Sequence, residues 1–240
     1  MTSPPLSPQV LAEVMEATWP PARRWQLGPF TLRDGAGGGQ RVSAASCEGA
    51  FTPQELQAAM AAMADPLFLI RPGDDTLDDA LERLGFGVHD PVVAYAAPVA
   101  ALAGELPHLV AFPHWPPLEA SLAVWAEGGI GPGRVAVMAR ARGAKTAILA
   151  RSGDRPAGVC FVACQGCHAM LHALEVRPGQ RRQGAGRHLL RAAANWAAEQ
   201  GCDTLSLAVT ARNAAARALY QRAGMAQAGQ YHYRRKPLCP

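Results

Sequence analysis

Arg181-Arg182-Gln183-Gly184-Ala185-Gly186 stands between a strand-like run, 170–176, and a helix-like run, 187–200. A glycine-rich turn that feeds a helix start leaves backbone N–H groups without partners and sets the positive end of the helix dipole behind them. Gly184 and Gly186 have no Cβ, so an anion can come close to the main chain, and the arginines around them add positive charge. The chemistry this suits is the binding of a phosphate or pyrophosphate. The third glycine of a dinucleotide-binding loop is absent, and no Gly-Lys-Ser/Thr follows as in a nucleoside triphosphate loop. A bare strand-to-helix turn has the same spacing, so residues further along the chain must decide.

Residues 202–210, Cys-Asp-Thr-Leu-Ser-Leu-Ala-Val-Thr, read as a buried strand. An alanine-rich helix follows over 212–220, with Ala223-Gly224-Met225 as its stop. Here the chain resembles the GCN5-related N-acetyltransferase (GNAT) family. The family's Gln/Arg-x-x-Gly-x-Gly/Ala motif is met by Arg181, Gly184 and Gly186; its second signature is met by Asn213, Ala216, Leu219-Tyr220 and Gly224-Met225. The resemblance covers about 106–240 and is sharpest over 174–225. It implies an α/β (α+β) fold, a mixed, mostly antiparallel sheet with helices on both faces. It also implies acetyl-CoA as co-substrate, its pyrophosphate held by Arg181, Arg182, Gln183, Gly184, Ala185, Gly186 and Arg187. Leu174 and Val176 would pair their backbone with the pantetheine arm like an added strand. Asn213 and Tyr220 would lie near the sulfur.

The reaction so implied is acyl transfer from a thioester to a small-molecule or peptide amine by direct attack. Tyr220 is the expected general acid, because a phenol keeps its proton at neutral pH. The base is harder to place. Some protein N-terminal acetyltransferases of the family carry a glutamate in the strand before the Asn-to-Tyr helix, and the matching residue here is Ala208. Glu175 is the candidate base, aimed by strand alternation opposite to Leu174 and Val176. His172 is a second group that could relay a proton, although a core histidine is the commoner fate. The missing base keeps a non-catalytic acyl-CoA sensor or regulatory module open as the alternative.

Cys164-Gln165-Gly166-Cys167-His168 has the spacing of covalent haem attachment, with Cys160 a third sulfur nearby. Such attachment follows export, and Met1-Thr2-Ser3-Pro4-Pro5 has neither the basic start nor the apolar core of a signal peptide. In the GNAT reading 157–164 and 170–176 are adjacent antiparallel strands and Gln165-Gly166 is their turn. The six cysteines, at 47, 160, 164, 167, 202 and 239, lack the dense spacing of a disulfide framework, so reduced thiols, no metal and a cytoplasmic location are expected. Nearly half of the 240 residues are apolar without a run long enough to span a bilayer, which argues against a membrane role. The net charge of +4 comes without an aromatic-basic stripe, so nucleic acid is not an expected partner. A homodimer face is left open.

The first hundred residues echo the rest. Trp19-Pro20-Pro21 recurs as Trp115-Pro116-Pro117, and Leu84-Gly85-Phe86 with Val92-Val93-Ala94-Tyr95 matches Ala223-Gly224-Met225 with Tyr231-His232-Tyr233. The offsets are about 96 and about 139 residues, which implies a first copy shortened by about 43. At the positions of Tyr220 and Asn213 that copy carries Leu81 and Asp74. The expected organisation is a degenerate, GNAT-like N-terminal domain over 1–100, a linker over 97–107 and a catalytic domain over 106–240. Helices are expected at 6–17, 53–64, 121–126 and 135–142. Strands are expected at 30–33, 40–45, 67–71, 109–112, 146–151 and 230–235. Gly35 to Gly39 reads as a hairpin loop.

Overall fold

The structure is a computed structural model that describes residues 6–237. Met1-Thr2-Ser3-Pro4-Pro5 and Cys239 lie outside the described residues. The chain starts with α1 (Pro8–Thr18), whose first turn holds Pro8 and is capped by Ser7, its hydroxyl accepting the Val10 N–H. A small antiparallel sheet follows from β1 (Arg23–Leu27), β2 (Phe30–Asp34) and β3 (Ser46–Cys47). α2 (Pro53–Ala61) opens with a reciprocal cap between Thr52 and Glu55. Next come β4 (Leu67–Ile70), α3 (Asp75–Arg83), β5 (Gly87–Pro98) and the short α4 (Val99–Leu102).

The remaining elements are β6 (Ala111–His114), α5 (Glu119–Glu127), α6 (Pro132–Arg140), β7 (Lys145–Ser152), β8 (Arg155–Gln165) and β9 (His168–Val176). They are followed by α7 (Ala185–Glu199), β10 (Thr204–Thr210), α8 (Ala214–Arg222) and β11 (Ala226–Arg235). Eight strands form one sheet in the order β4-β11-β5-β10-β9-β8-β7-β6. Every neighbouring pair is antiparallel except β9 with β10. The mixed, mostly antiparallel sheet expected from the resemblance is therefore present.

Helices cover both faces. On one, Leu189, Leu190, Ala193 and Ala197 of α7 pack with Tyr220 of α8 and Leu102 of α4 against Ile148, Val162 and Leu205. On the other, Val124 and Trp125 of α5 and Val137 and Met138 of α6 close over Ala147, Val159 and Phe161. Val14 and Met15 of α1 lie over Met170, Tyr231 and Tyr233 on that same side of the central strands. A fourth cluster joins Phe30 and Leu32 of the small sheet to Phe68, Leu77, Leu81 and Phe86. These clusters supply the burial that drives folding.

Strands from both ends of the chain share this sheet. β5 lies between β10 and β11, while β11 lies between β4 and β5. The pairing Ala226↔Ala96 becomes Arg235↔Gly87 under the offset that relates Leu84-Gly85-Phe86 to Ala223-Gly224-Met225, and Val92↔Tyr231 falls on the local dyad. The same offset superposes α3 on α8 and Asp74 on Asn213 as the residue before each helix.

Several local expectations were off. Residues 40–45 form no strand: Gln40–Val42 is a 3-10 turn, and Ala45 makes only an isolated bridge to Phe68. β1, short and rich in arginine, has only Trp25 and Leu27 as alternating apolar positions, too few to reveal it, and acid-rich α3 was equally silent. The expected linker holds the end of β5 and all of α4. Gly35–Gly39 does lie in the connection of an antiparallel hairpin, β2 with β3, but that connection is long and includes the 3-10 turn.

Candidate functional site

β9 and β10 pair only from Thr204↔His168 to Leu207↔Leu171. Beyond that the strands diverge, so β9 from 172 to 176 has no strand on that side and its backbone groups there lack ladder partners. A cavity of about 440 Å³ occupies the opening, lined by Leu174 and Glu175 of β9, Ala208 of β10, and Asn213, Ala216 and Tyr220 at α8.

A bulge decides what β9 presents. Val159 pairs with Glu175 but Phe161 with His172, so Cys160 alone opposes Ala173 and Leu174. Ala173 takes a positive φ of 50°. Its carbonyl accepts a hydrogen bond from Trp125 Nε1 at 2.8 Å, which ties the bulge to α5. The end of α5 also holds Glu127, paired with Arg177 at 2.7 Å, and Gly128, where a Cβ would stand 2.7 Å from Glu175 Cγ and Cδ. Leu174 and Val176 pack toward α7 while Glu175 lies against Gly128, so the alternation expected from the sequence holds past the bulge.

Glu175 is half-buried, and that burial raises its carboxyl above the usual range, against the lowering pull of Arg181 and Arg134. Tyr220 is 5% exposed and its ring lies 6.0 Å from that of Tyr95. Burial pushes its phenol well up, with Cys160 and Glu175 adding to the shift, so it holds its proton at neutral pH. Asn213 lines the cavity and caps α8, its Oδ1 accepting the Ala216 N–H at 3.1 Å.

His172 has no free nitrogen for a proton relay. Arg41 Nη1 donates to its Nδ1 at 3.1 Å, so Nε2 carries the proton and donates to Thr18 Oγ1 at 2.9 Å; Thr18 in turn donates to the Val14 carbonyl. The ring is 4% exposed and stacks on Trp19. Burial first, and the Arg41 charge second, hold it neutral, well below its ordinary range. It is a core histidine that positions Arg41.

The glycine turn sits at the end of β9. Gly184 adopts φ 90°, a left-handed conformation that favours glycine, and serves as the N-cap of α7. The first intrahelical bond runs from His188 N–H to the Gly184 carbonyl, so the amides of Ala185, Gly186 and Arg187 have no acceptor within the helix. A Cβ on Gly186 would meet Leu219 of α8 at 3.1 Å and Val176 of β9 at 3.9 Å. The turn thus touches both elements that border the cavity. Arg182 and Arg187 are exposed, Gln183 Nε2 donates to the Gly179 carbonyl, and Arg181 Nε folds back onto the Val176 carbonyl. Unpartnered amides, a close approach and surplus cations fit a pyrophosphate.

Cys164 and Cys202 are buried thiols 3.3 Å apart and Cys167 is exposed. No group of metal-binding side chains occurs among the described residues. No helix of the described residues is long and apolar enough to cross a membrane. Nothing in the local patterns pointed to Arg41, Trp19 or Trp125 at the site, because each comes from a part of the chain far from the motifs.

Residues 115–225 match the model of the acetyltransferase (GNAT) family. Acyl transfer is the chemistry of that family. No curated protein matches the chain. Among solved structures, a GCN5-related N-acetyltransferase from Kribbella flavida aligns over 95% of both chains with a TM-score of 0.72 and 18% identity. A conserved protein of unknown function from Staphylococcus epidermidis covers 95% of this chain and 100% of its own, at TM-score 0.70 and 11% identity. A tandem GNAT protein from the clavulanic acid biosynthesis pathway covers 85% of this chain and 76% of its own, at TM-score 0.57 and 15% identity. At such identities the likeness is one of fold.

Proposed function

We propose that the chain is an N-acetyltransferase that moves an acetyl group from acetyl-CoA to an amine. The observation that carries this reading is that Tyr220 and Glu175, from different elements, line one cavity bordered by the two elements that the glycine turn touches. The pyrophosphate is held by the turn from Arg181 to Arg187, and the pantetheine arm lies along the free edge at Leu174 and Val176. Asn213 fixes the start of α8 and with it Tyr220.

In the reaction the amine nitrogen bonds to the thioester carbonyl carbon and the carbon–sulfur bond breaks. Glu175 takes the proton the amine gives up, its burial making it a stronger base than an exposed glutamate. Tyr220 gives its proton to the departing sulfur and regains one from solvent. The first hundred residues are a shortened copy of the same unit, without chemistry of its own: Leu81 and Asp74 stand for Tyr220 and Asn213, and the exchange of β5 and β11 supports the repeat.

Calorimetric titration with acetyl-CoA, beside a Gly184→Glu variant, tests the reading. Micromolar binding to the native chain, lost in the variant, is expected, followed by thiol release with an accepted amine. Binding without transfer to any amine would favour a sensor or regulatory module. No binding at all would remove the enzyme.

A further inference from the structure

Arg41 enters the central cavity from the 3-10 turn between β2 and β3, with Trp19 beside it. Its Nε is buried and has no hydrogen-bond partner, and no carboxylate pairs with it among the described residues. The Tyr231 hydroxyl, on the same cavity wall, is likewise buried without a hydrogen-bond partner within ordinary distance, and it stands beside the guanidinium together with the Tyr233 hydroxyl, two neutral groups that leave the charge without a counter-ion. A guanidinium withdrawn from water without a counter-ion, beside an unsatisfied hydroxyl, is costly unless something else supplies the acceptors. Arg41 also borders a larger cavity of about 870 Å³ under α1, but there Glu16 is matched by Arg24 and Arg33, Glu48 and Asp74 by Arg71, and Glu13 accepts a hydrogen bond from Gln9 instead of pairing with Arg41. In the central cavity the other acidic groups are Asp90, paired with Arg212, and Glu175, which lies against Gly128. Arg134, which also lines this cavity without an ion pair, is exposed to water; the withdrawn cation left over is Arg41.

We propose that the acceptor amine also carries a carboxylate, and that Arg41 Nε and the Tyr231 hydroxyl bind that carboxylate while the amine faces Glu175 and Tyr220. This rests on the acyltransferase reading of the same cavity. A planar guanidinium held at one end by His172 presents its free edge in a fixed direction, which suits the two oxygens of a carboxylate. His172, through Thr18 and the α1 carbonyl of Val14, is the support that keeps Arg41 in place.

Matched acids and amides test it with the full chain. The common L-amino acids and their carboxamides are offered as acceptors with acetyl-CoA, and the N-acetyl derivatives of both series are titrated calorimetrically. At least one free acid should exceed its amide by about tenfold or more in kcat/KM, the size of one charge-assisted hydrogen bond, and its N-acetyl derivative should bind where the amide does not. Arg41→Gln should abolish both preferences while acetyl-CoA affinity stays, and Arg41→Lys should restore part of them, showing that charge and not folding is at stake. Equal handling of acids and amides, no binding of any N-acetyl amino acid, or a preference that survives in Arg41→Gln overturns the proposal. Transfer to uncharged amines with no preference for acids overturns the carboxylate site and leaves the acyltransferase standing. Arg41-dependent binding of the acid probes without transfer keeps the site and overturns the acyltransferase.

Discussion

Tyr220 and Glu175 owe their protonation behaviour to burial beside one another. Replacing Tyr220 by Phe removes only the hydroxyl, so kcat should fall about a hundredfold, within the usual range for one acid-base group, while acetyl-CoA affinity by titration stays. Unchanged turnover would take Tyr220 out of the mechanism. Glu175 must be ionised to accept a proton, and its carboxyl is raised. The rate should therefore decline on acidification through a pH above the ordinary glutamate range, and Glu175→Gln should remove that limb along with most of the rate. His172 affects stability instead. Its folded pKa is depressed, so below about pH 6.5 the unfolded chain takes up a proton that the folded chain refuses, and stability falls as pH falls. Thermal midpoints at pH 7 and 5.5 should drop less in His172→Gln than in the native chain; an equal drop would place the acid sensitivity elsewhere.

At the scale of elements, α5 sets the geometry of β9. Trp125 anchors the bulge at Ala173, Glu127 grips Arg177, and Gly128 leaves room for Glu175. Gly128 has φ −83°, so alanine there meets no backbone strain and acts only by displacing Glu175. Gly128→Ala should lower kcat by about tenfold to a hundredfold, as expected for a catalytic group moved by about an ångström, with acetyl-CoA binding intact. If the rate holds, Glu175 is not the base. The glycine turn, the hairpin of β8 and β9 and the helix α8 were all legible as local patterns, because turn chemistry, apolar runs and caps act within a few residues. β1, α3 and the 3-10 turn were not, since arginines, acids and short length hide their buried sides.

At the scale of the whole molecule, the eight-stranded sheet is built from both ends of the chain. β5 supplies the only ladder neighbour β10 has opposite β9, and β4 and β5 flank β11. A fragment limited to 106–240 should therefore lose near-ultraviolet dichroism and cooperative thermal unfolding that the full chain shows. A fragment that melts cooperatively and binds acetyl-CoA would show that the first hundred residues are dispensable. By itself the sequence determined the GNAT signatures, the candidate acid at Tyr220 and the sheet-with-helices architecture, because each is written in residues close together in the chain. Only the tertiary structure decided that β5 and β11 exchange places, that His172 is locked between Thr18 and Arg41, and that an unpaired guanidinium faces the cavity. Those facts depend on contacts between residues far apart in the chain, and long-range pairing leaves no local pattern to read.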